Sequence, residues 1–90
     1  MIAADPGSFS LGSELTMMTY VERLEEAKAA LRQGHLAIDF ANVREMDSSA
    51  IAFMLECVRA SGNKVVFKSL PNTLRGLVSL YGVTDLLKIS

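Results

Sequence analysis

Apolar residues recur first at every second position. Phe9 and Leu11, with Ser13 in the same phase, alternate with small residues, the pattern of a short strand. The period then lengthens. Met17, Val21, Leu24, Ala27 and Leu31 follow at spacings of four, three, three and four, one apolar stripe on a helix. Glu22, Arg23, Glu25, Glu26 and Lys28 lie outside that stripe. Thr16 is placed to cap the helix and Gly34 to close it. In Leu36-Ala37-Ile38-Asp39-Phe40, the next strand, Leu36, Ile38 and Phe40 share one face. Apolar Ala37 on the other side predicts cover on both faces. Ala41 to Met46 reads as a connection. A second helix opens at Asp47 or Ser48, carries Ile51, Met54, Leu55 and Val58 as its core stripe, and ends at Gly62-Asn63. Lys64 to Lys68 predicts a third strand, and Pro71 suits the first turn of a third helix. Leu74, Leu77, Val78 and Tyr81 form its stripe, Gly82 stops it, and Val83 to Ile89 reads as a final helical turn or two.

Strand and helix alternate three times, which predicts an α/β fold: a parallel-rich sheet of about four strands with helices packed against it. No repeat, low-complexity stretch or linker interrupts the 90 residues, so the expectation is a single domain over 1–90. Residues 1–8, with the turn signal Asp5-Pro6-Gly7, read as a loosely ordered lead-in. In open sheets of this kind, sites form beyond the carboxyl ends of the strands. Ala41 to Asp47 and the start of the second helix occupy that region.

Composition narrows the function. Half of the residues are hydrophobic, which for so short a chain implies a dense core or an apolar surface meant for a partner. The net charge is -1 and no basic stripe interleaves with aromatics, which argues against nucleic acid as a partner. Charges interrupt the apolar runs well before membrane-spanning length, so any membrane association would come through a partner. Met1 to Phe9 has neither a basic residue nor an apolar core segment and does not read as a signal peptide. Cys57 is the sole cysteine, so no intrachain disulfide forms. A cytoplasmic location fits these features.

Nothing points to catalysis. His35, the sole histidine, lies between Gly34 and a strand and reads as an exposed loop residue, since one histidine makes neither a triad nor a metal cluster. Cys57, among Phe53, Met54 and Val58, reads as a small buried hydrophobe. No phosphate loop, dinucleotide fingerprint or paired carboxylates are present, so no catalytic residue, metal site or cofactor is expected. Asp39 interrupts an apolar strand, where a carboxylate needs a hydrogen bond; the strand end and the following loop can supply one. Glu14 reads as solvated.

The informative feature is Asp47-Ser48-Ser49-Ala50. Aspartate and serine are preferred helix caps, which is one sufficient reading. The other uses the same geometry: the first turn of a helix offers unpaired amides and a partial positive charge, able to hold a phosphate on Ser48. The unmodified hydroxyl can instead sit against a partner. Between Ala50 and Val58 only Glu56 is not apolar, and Ser49, Ala52, Phe53 and Glu56 share the side away from the Ile51 stripe. That side, with Asp47 and Ala50, is the candidate partner surface.

Leu36-Ala37-Ile38-Asp39-Phe40, then Val43, then Met46-Asp47-Ser48-Ser49-Ala50-Ile51, resembles the signature of STAS domains: an apolar strand ending in Asp, a short loop, and an Asp-Ser-Ser-Gly-like turn opening a helix. Ala50 stands where many members have glycine. Gly12-Ser13-Glu14-Leu15-Thr16 is similar to the family's segment before its first helix, and the resemblance runs from about Phe9 to Leu87. It implies a non-enzymatic protein-interaction module. In the anti-sigma factor antagonist branch, the serine matching Ser48 is phosphorylated by a partner kinase, which prevents binding to the anti-sigma factor. In the Mla-type branch, a small STAS subunit binds the ATPase of a phospholipid-transport ABC system, with a hydroxyl residue at the matching position. Leu80-Tyr81-Gly82-Val83-Thr84-Asp85-Leu86-Leu87 is similar to the ends of the transporter-type members, which favours that branch. The alternatives are the phosphorylation switch and, last, a small enzyme or nucleotide-binding domain.

Overall fold

The computed structural model describes residues 7–90. In chain order the elements are β1 (Ser8–Ser10), β2 (Glu14–Leu15), α1 (Tyr20–Arg32), β3 (Ala37–Asp39), β4 (Glu45–Met46), α2 (Ser49–Ala60), β5 (Val66–Lys68), α3 (Asn72–Leu80) and β6 (Lys88–Ile89). A short 3-10 turn, Thr84–Leu86, precedes β6. Strands β1, β3, β5 and β6 form one parallel sheet in that spatial order, and β2 pairs with β4 in a separate two-stranded parallel ladder. The expected α/β architecture, a four-stranded parallel sheet with helices against it, is the observed one. The lead-in expectation over Met1–Pro6 lies outside the described residues, whereas Ser8 already belongs to β1.

The register aligns Phe9, Ile38, Phe67 and Ile89 in one row across the sheet. Ile38 and Phe67 are fully buried, and they join Ala27 of α1, Phe53 of α2 and Leu74 of α3 in one apolar cluster. The alternate positions, Ser8, Ala37, Val66 and Lys88, stand on the opposite face, and none of them is fully buried. The cover on both faces expected from Ala37 is observed in part: on one face Ile38 and Phe67 are fully buried, and on the other Ser8, Ala37 and Val66 are half-buried while Lys88 is exposed.

Two stripes needed correction, each for a physical reason. α1 starts at Tyr20, because Thr16 to Thr19 make a turn of their own: the Thr19 amide donates to the Thr16 carbonyl at 3.1 Å and the Thr16 amide to Thr19 Oγ1 at 3.0 Å. Thr16 thus closes a turn instead of capping the helix. Tyr20, Leu24 and Leu31 line the core side together with buried Ala27, while Val21 and Met17 are left in solvent. Two buried alanines, Ala27 and Ala30, allow α1 to approach α2 closely.

In α2 the inward positions are Ala50, Ile51, Phe53, Met54 and Cys57, not the stripe through Leu55 and Val58, which are half-buried. The inward face is rotated by roughly a quarter turn from the expected one. The reason is aromatic packing. Phe40 sits edge-on between two rings, with centroids 6.2 Å from Phe53 and 6.0 Å from Phe67. Such T-shaped pairs favour the core over an exposed ring. Two features escaped the hydrophobic pattern: the β2–β4 ladder inside presumed connections, and β6 in the apolar tail. Two-residue strands leave no periodicity to read.

Phe53→Ala is expected to lower unfolding free energy by about 3–5 kcal/mol, as deletion of a buried aromatic does. Urea denaturation followed by circular dichroism measures it; a loss under about 1 kcal/mol would contradict the ring's central place.

Candidate functional site

The loop after β1 and the loop after β3 both leave the sheet at its carboxyl end and meet through β2 and β4. The Arg44 and Glu45 amides both donate to the Ser13 carbonyl, at 2.7 and 3.1 Å. The register then sets Glu14 beside Glu45 and buried Leu15 beside Met46. One residue further on, Asp47 fastens the two segments. Its Oδ2 accepts the Met17 amide at 2.9 Å, and its Oδ1 accepts the Ser49 amide at 2.9 Å and the Ser49 hydroxyl at 2.5 Å. This one side chain both starts α2 and holds the turn before α1.

These three bonds favour the charged carboxylate. The Ser49 hydroxyl foremost, then the Met17 and Ser49 amides, hold the Asp47 pKa below its ordinary value of 3.8. A carboxyl with a depressed folded-state pKa contributes its stabilisation above the unfolded pKa and loses it as pH falls through the folded one. The Asp47 links therefore persist at neutral pH and fail only in acid below the usual carboxylate range.

Around Asp47 the candidate residues separate. Ser48 is exposed and occupies the N-cap position, with no hydrogen bond from its own side chain to the helix end. Ala52, one turn on, is exposed as well. Ser49 is half-buried and spends its hydroxyl on Asp47. Ala50 and Phe53 are fully buried and cannot face a partner. Glu56 bridges the helices, ion-paired to Lys28 of α1 at 3.6 Å and to Arg59 of α2. Of the expected surface, Phe53 and Ala50 are removed, because the rotation of α2 draws them inward; Ser48 and Ala52 are exposed, and Asp47, Ser49 and Glu56 are half-buried.

The phosphate-cradle reading of the helix start also changes. The Ser49 amide is taken by Asp47 Oδ1, the Ala50 amide by the Asp47 carbonyl at 3.0 Å, and the Ile51 amide by the Ser48 carbonyl at 3.1 Å. These donors are not open to an anion.

Arg23 supports the site from α1. Its Nε donates to the Glu14 carbonyl at 3.0 Å, and its guanidinium lies where a side chain on Gly12 would begin, 3.3 Å from that position. Sequence periodicity gave no sign of this contact. Asp39, the last residue of β3, accepts the Ala41 amide at 2.9 Å, the strand-end bond its position called for.

Cys57 is fully buried in the core cluster, and burial pushes its thiol pKa up to about 12. Among the described residues no group of histidine, cysteine and carboxylate side chains could hold a metal ion. No helix among them is long and apolar enough to cross a membrane.

Two measurements follow from this geometry. In an NMR pH titration, the Met17 and Ser49 amide shifts should move together, with a midpoint below the ordinary aspartate value; a midpoint at or above 3.8 would mean the three bonds are not held in solution. A thiol-disulfide reagent at pH 8 should leave Cys57 unmodified in the native protein and react fully in denaturant, since the thiolate is the nucleophile.

The family model described as "Mlab, STAS domain" matches residues 2–88. No protein of curated function matches the chain. Among solved structures, the chain is similar to the anti-sigma factor antagonist SpoIIAA in its unphosphorylated form, with a TM-score of 0.66 at 19% identity. That match covers 92% of this chain and 77% of the other. A family model running almost from end to end, on a chain whose fold is similar to that of a solved antagonist, assigns this protein to the STAS domain family.

Proposed function

We propose that this STAS domain is a non-enzymatic, cytoplasmic accessory subunit that binds the ATPase of a phospholipid-transport ABC system, with Ser48 and Ala52 in the contact. The observation that carries the reading is an exposed serine, Ser48, on a turn that Asp47 holds rigid from two sides. A docking residue on a preorganised turn spends little ordering entropy on binding. The transporter assignment draws its support from the family description, which carries the Mlab name, and from the likeness of Leu80 to Leu87 to transporter-type members.

A second reading has its own support. The similar solved structure is that of an anti-sigma factor antagonist described by its phosphorylation state. On this reading a partner kinase phosphorylates Ser48 and so controls binding to an anti-sigma factor. Phosphate adds roughly -1.5 to -2 charge. Beside Asp47, with the Ser49, Ala50 and Ile51 amides already bonded, that charge meets repulsion in place of a cradle. Phosphorylation would then act by loosening the Asp47 links and displacing the Met17 turn.

The transporter reading is tested by co-purifying the tagged domain with a phospholipid-transport ABC ATPase of the native host. Ser48→Glu and Ala52→Asp should each cut recovery about tenfold or more, the scale of losing a central interface contact. Equal recovery with wild type and both variants would reject the transporter contact. Phosphate on Ser48 in intact-mass spectra from the native host would favour the switch instead.

A further inference from the structure

Beside the Asp47 turn, three apolar side chains stand in solvent. Met17, Met18 and Val21 are 75%, 91% and 70% exposed. They are held in place: the Met17 amide is bonded to Asp47, the Met18 amide to Thr16 Oγ1 at 3.2 Å, and Val21 is in the first turn of α1.

The charges nearby have one prevailing sign. Glu14 and Glu45 are exposed and face each other in register across β2 and β4, an arrangement of like charges that weakens a ladder. Glu25 lies one turn along α1 from Val21, also exposed. Asp47 adds a fourth carboxylate. Against these stands Arg44, since Arg23 is committed to the Glu14 carbonyl and to Glu26. An apolar patch inside an acidic rim is complementary to a surface that is apolar at its centre and cationic at its edges. Methionine adapts its shape to what it meets, which suits a helix whose side chains must be seated without a preformed groove.

We propose that Met17, Met18 and Val21, rimmed by Glu14, Glu25 and Glu45, dock an amphipathic helix of a partner protein whose apolar face is flanked by lysine or arginine. This deepens the reading above by naming the chemistry that the partner brings to the same surface. Ser48 and Ala52 lie at the edge of the docked helix.

The test uses the whole protein with its methionine methyls labelled by carbon-13. It is titrated with two synthetic helical peptides sharing one leucine face, one with lysine and one with glutamate on the polar face. The lysine peptide should shift the Met17 and Met18 methyls and leave that of buried Met54 in place; the glutamate peptide should shift none. Glu14→Gln with Glu45→Gln should weaken the lysine peptide by about 10-fold, and raising salt to about 0.3 M should weaken it similarly. Met17→Ser with Met18→Ser should abolish it, with circular dichroism confirming that these surface variants remain folded. The proposal is overturned if the lysine peptide leaves the Met17 and Met18 methyls unshifted, if both peptides bind alike, or if the glutamine variant binds as tightly as wild type. Binding seated instead on Leu80, Tyr81 and Leu86 would also overturn it. Ser48 is untouched in every arm, so failure here leaves the ATPase reading standing, and failure of the Ser48 variants leaves this one standing.

Discussion

The ring of Phe53 and its edge-on contact with Phe40 set the rotation of α2, and the rotation of α2 decides what the protein shows to others. The helix is apolar on nearly every side, so hydrophobicity alone does not orient it. Once Phe53 is inside, with Ala50 and Cys57 on the same side, the remaining positions have no freedom. Glu56 is carried towards α1, where Lys28 meets it, and Ala52 and Ser48 are carried to the surface. The site at the head of the helix is thus positioned by a packing contact deep in the core, through the rigidity of the helix itself.

Asp47 converts that orientation into a joined surface. A carboxylate at the start of a helix commonly caps only its own helix. Here the second oxygen reaches across to the Met17 amide, so one side chain ties the turn before α1 to the start of α2. The cost is that amides which a free helix start would offer to an anion are already bonded. The surface is therefore suited to contact by shape and charge more than to cradling a phosphate. A negative group added at Ser48 would strain the link that holds the methionines in place. On the two proposed readings, docking and modification at this turn would both act through that one side chain.

The fold was legible because its largest signals are periodic. Ile38, Phe67 and, in α3, Leu74 and Val78 follow their patterns, although Tyr81 of the expected stripe lies past the helix end and is exposed; glycine or proline marks the element ends, so the alternation of strand and helix and the four-stranded parallel sheet could be read directly. The position of the candidate turn was legible too, from Asp47 and Ser48 at a helix start in the setting of the family signature. The faces were not. Met17 and Val21 fit a helical stripe with Leu24 arithmetically, but the hydroxyls of Thr16 and Thr19 stabilise a separate turn and delay the helix to Tyr20. The spacing of Ile51, Met54, Leu55 and Val58 is equally regular and points Phe53 outward. The polar positions Glu56 and Arg59 were the better guide, since the inward face lies opposite them.

Folding does not account for the methionine patch beside α1. A sequence selected only for folding would place polar residues at 17, 18 and 21, where the turn and the first helical coil face water. Their apolar character carries no benefit to the core, which Tyr20 and Leu24 already seal. It adjoins paired glutamates whose repulsion also does nothing for the fold. Two local departures from what stability favours, one apolar and one electrostatic, fall within a few residues of the Asp47 turn. Such departures cluster where a surface serves another molecule. An apolar centre and an acidic rim are each unfavourable in the isolated domain, and the proposed cationic, amphipathic partner would relieve both.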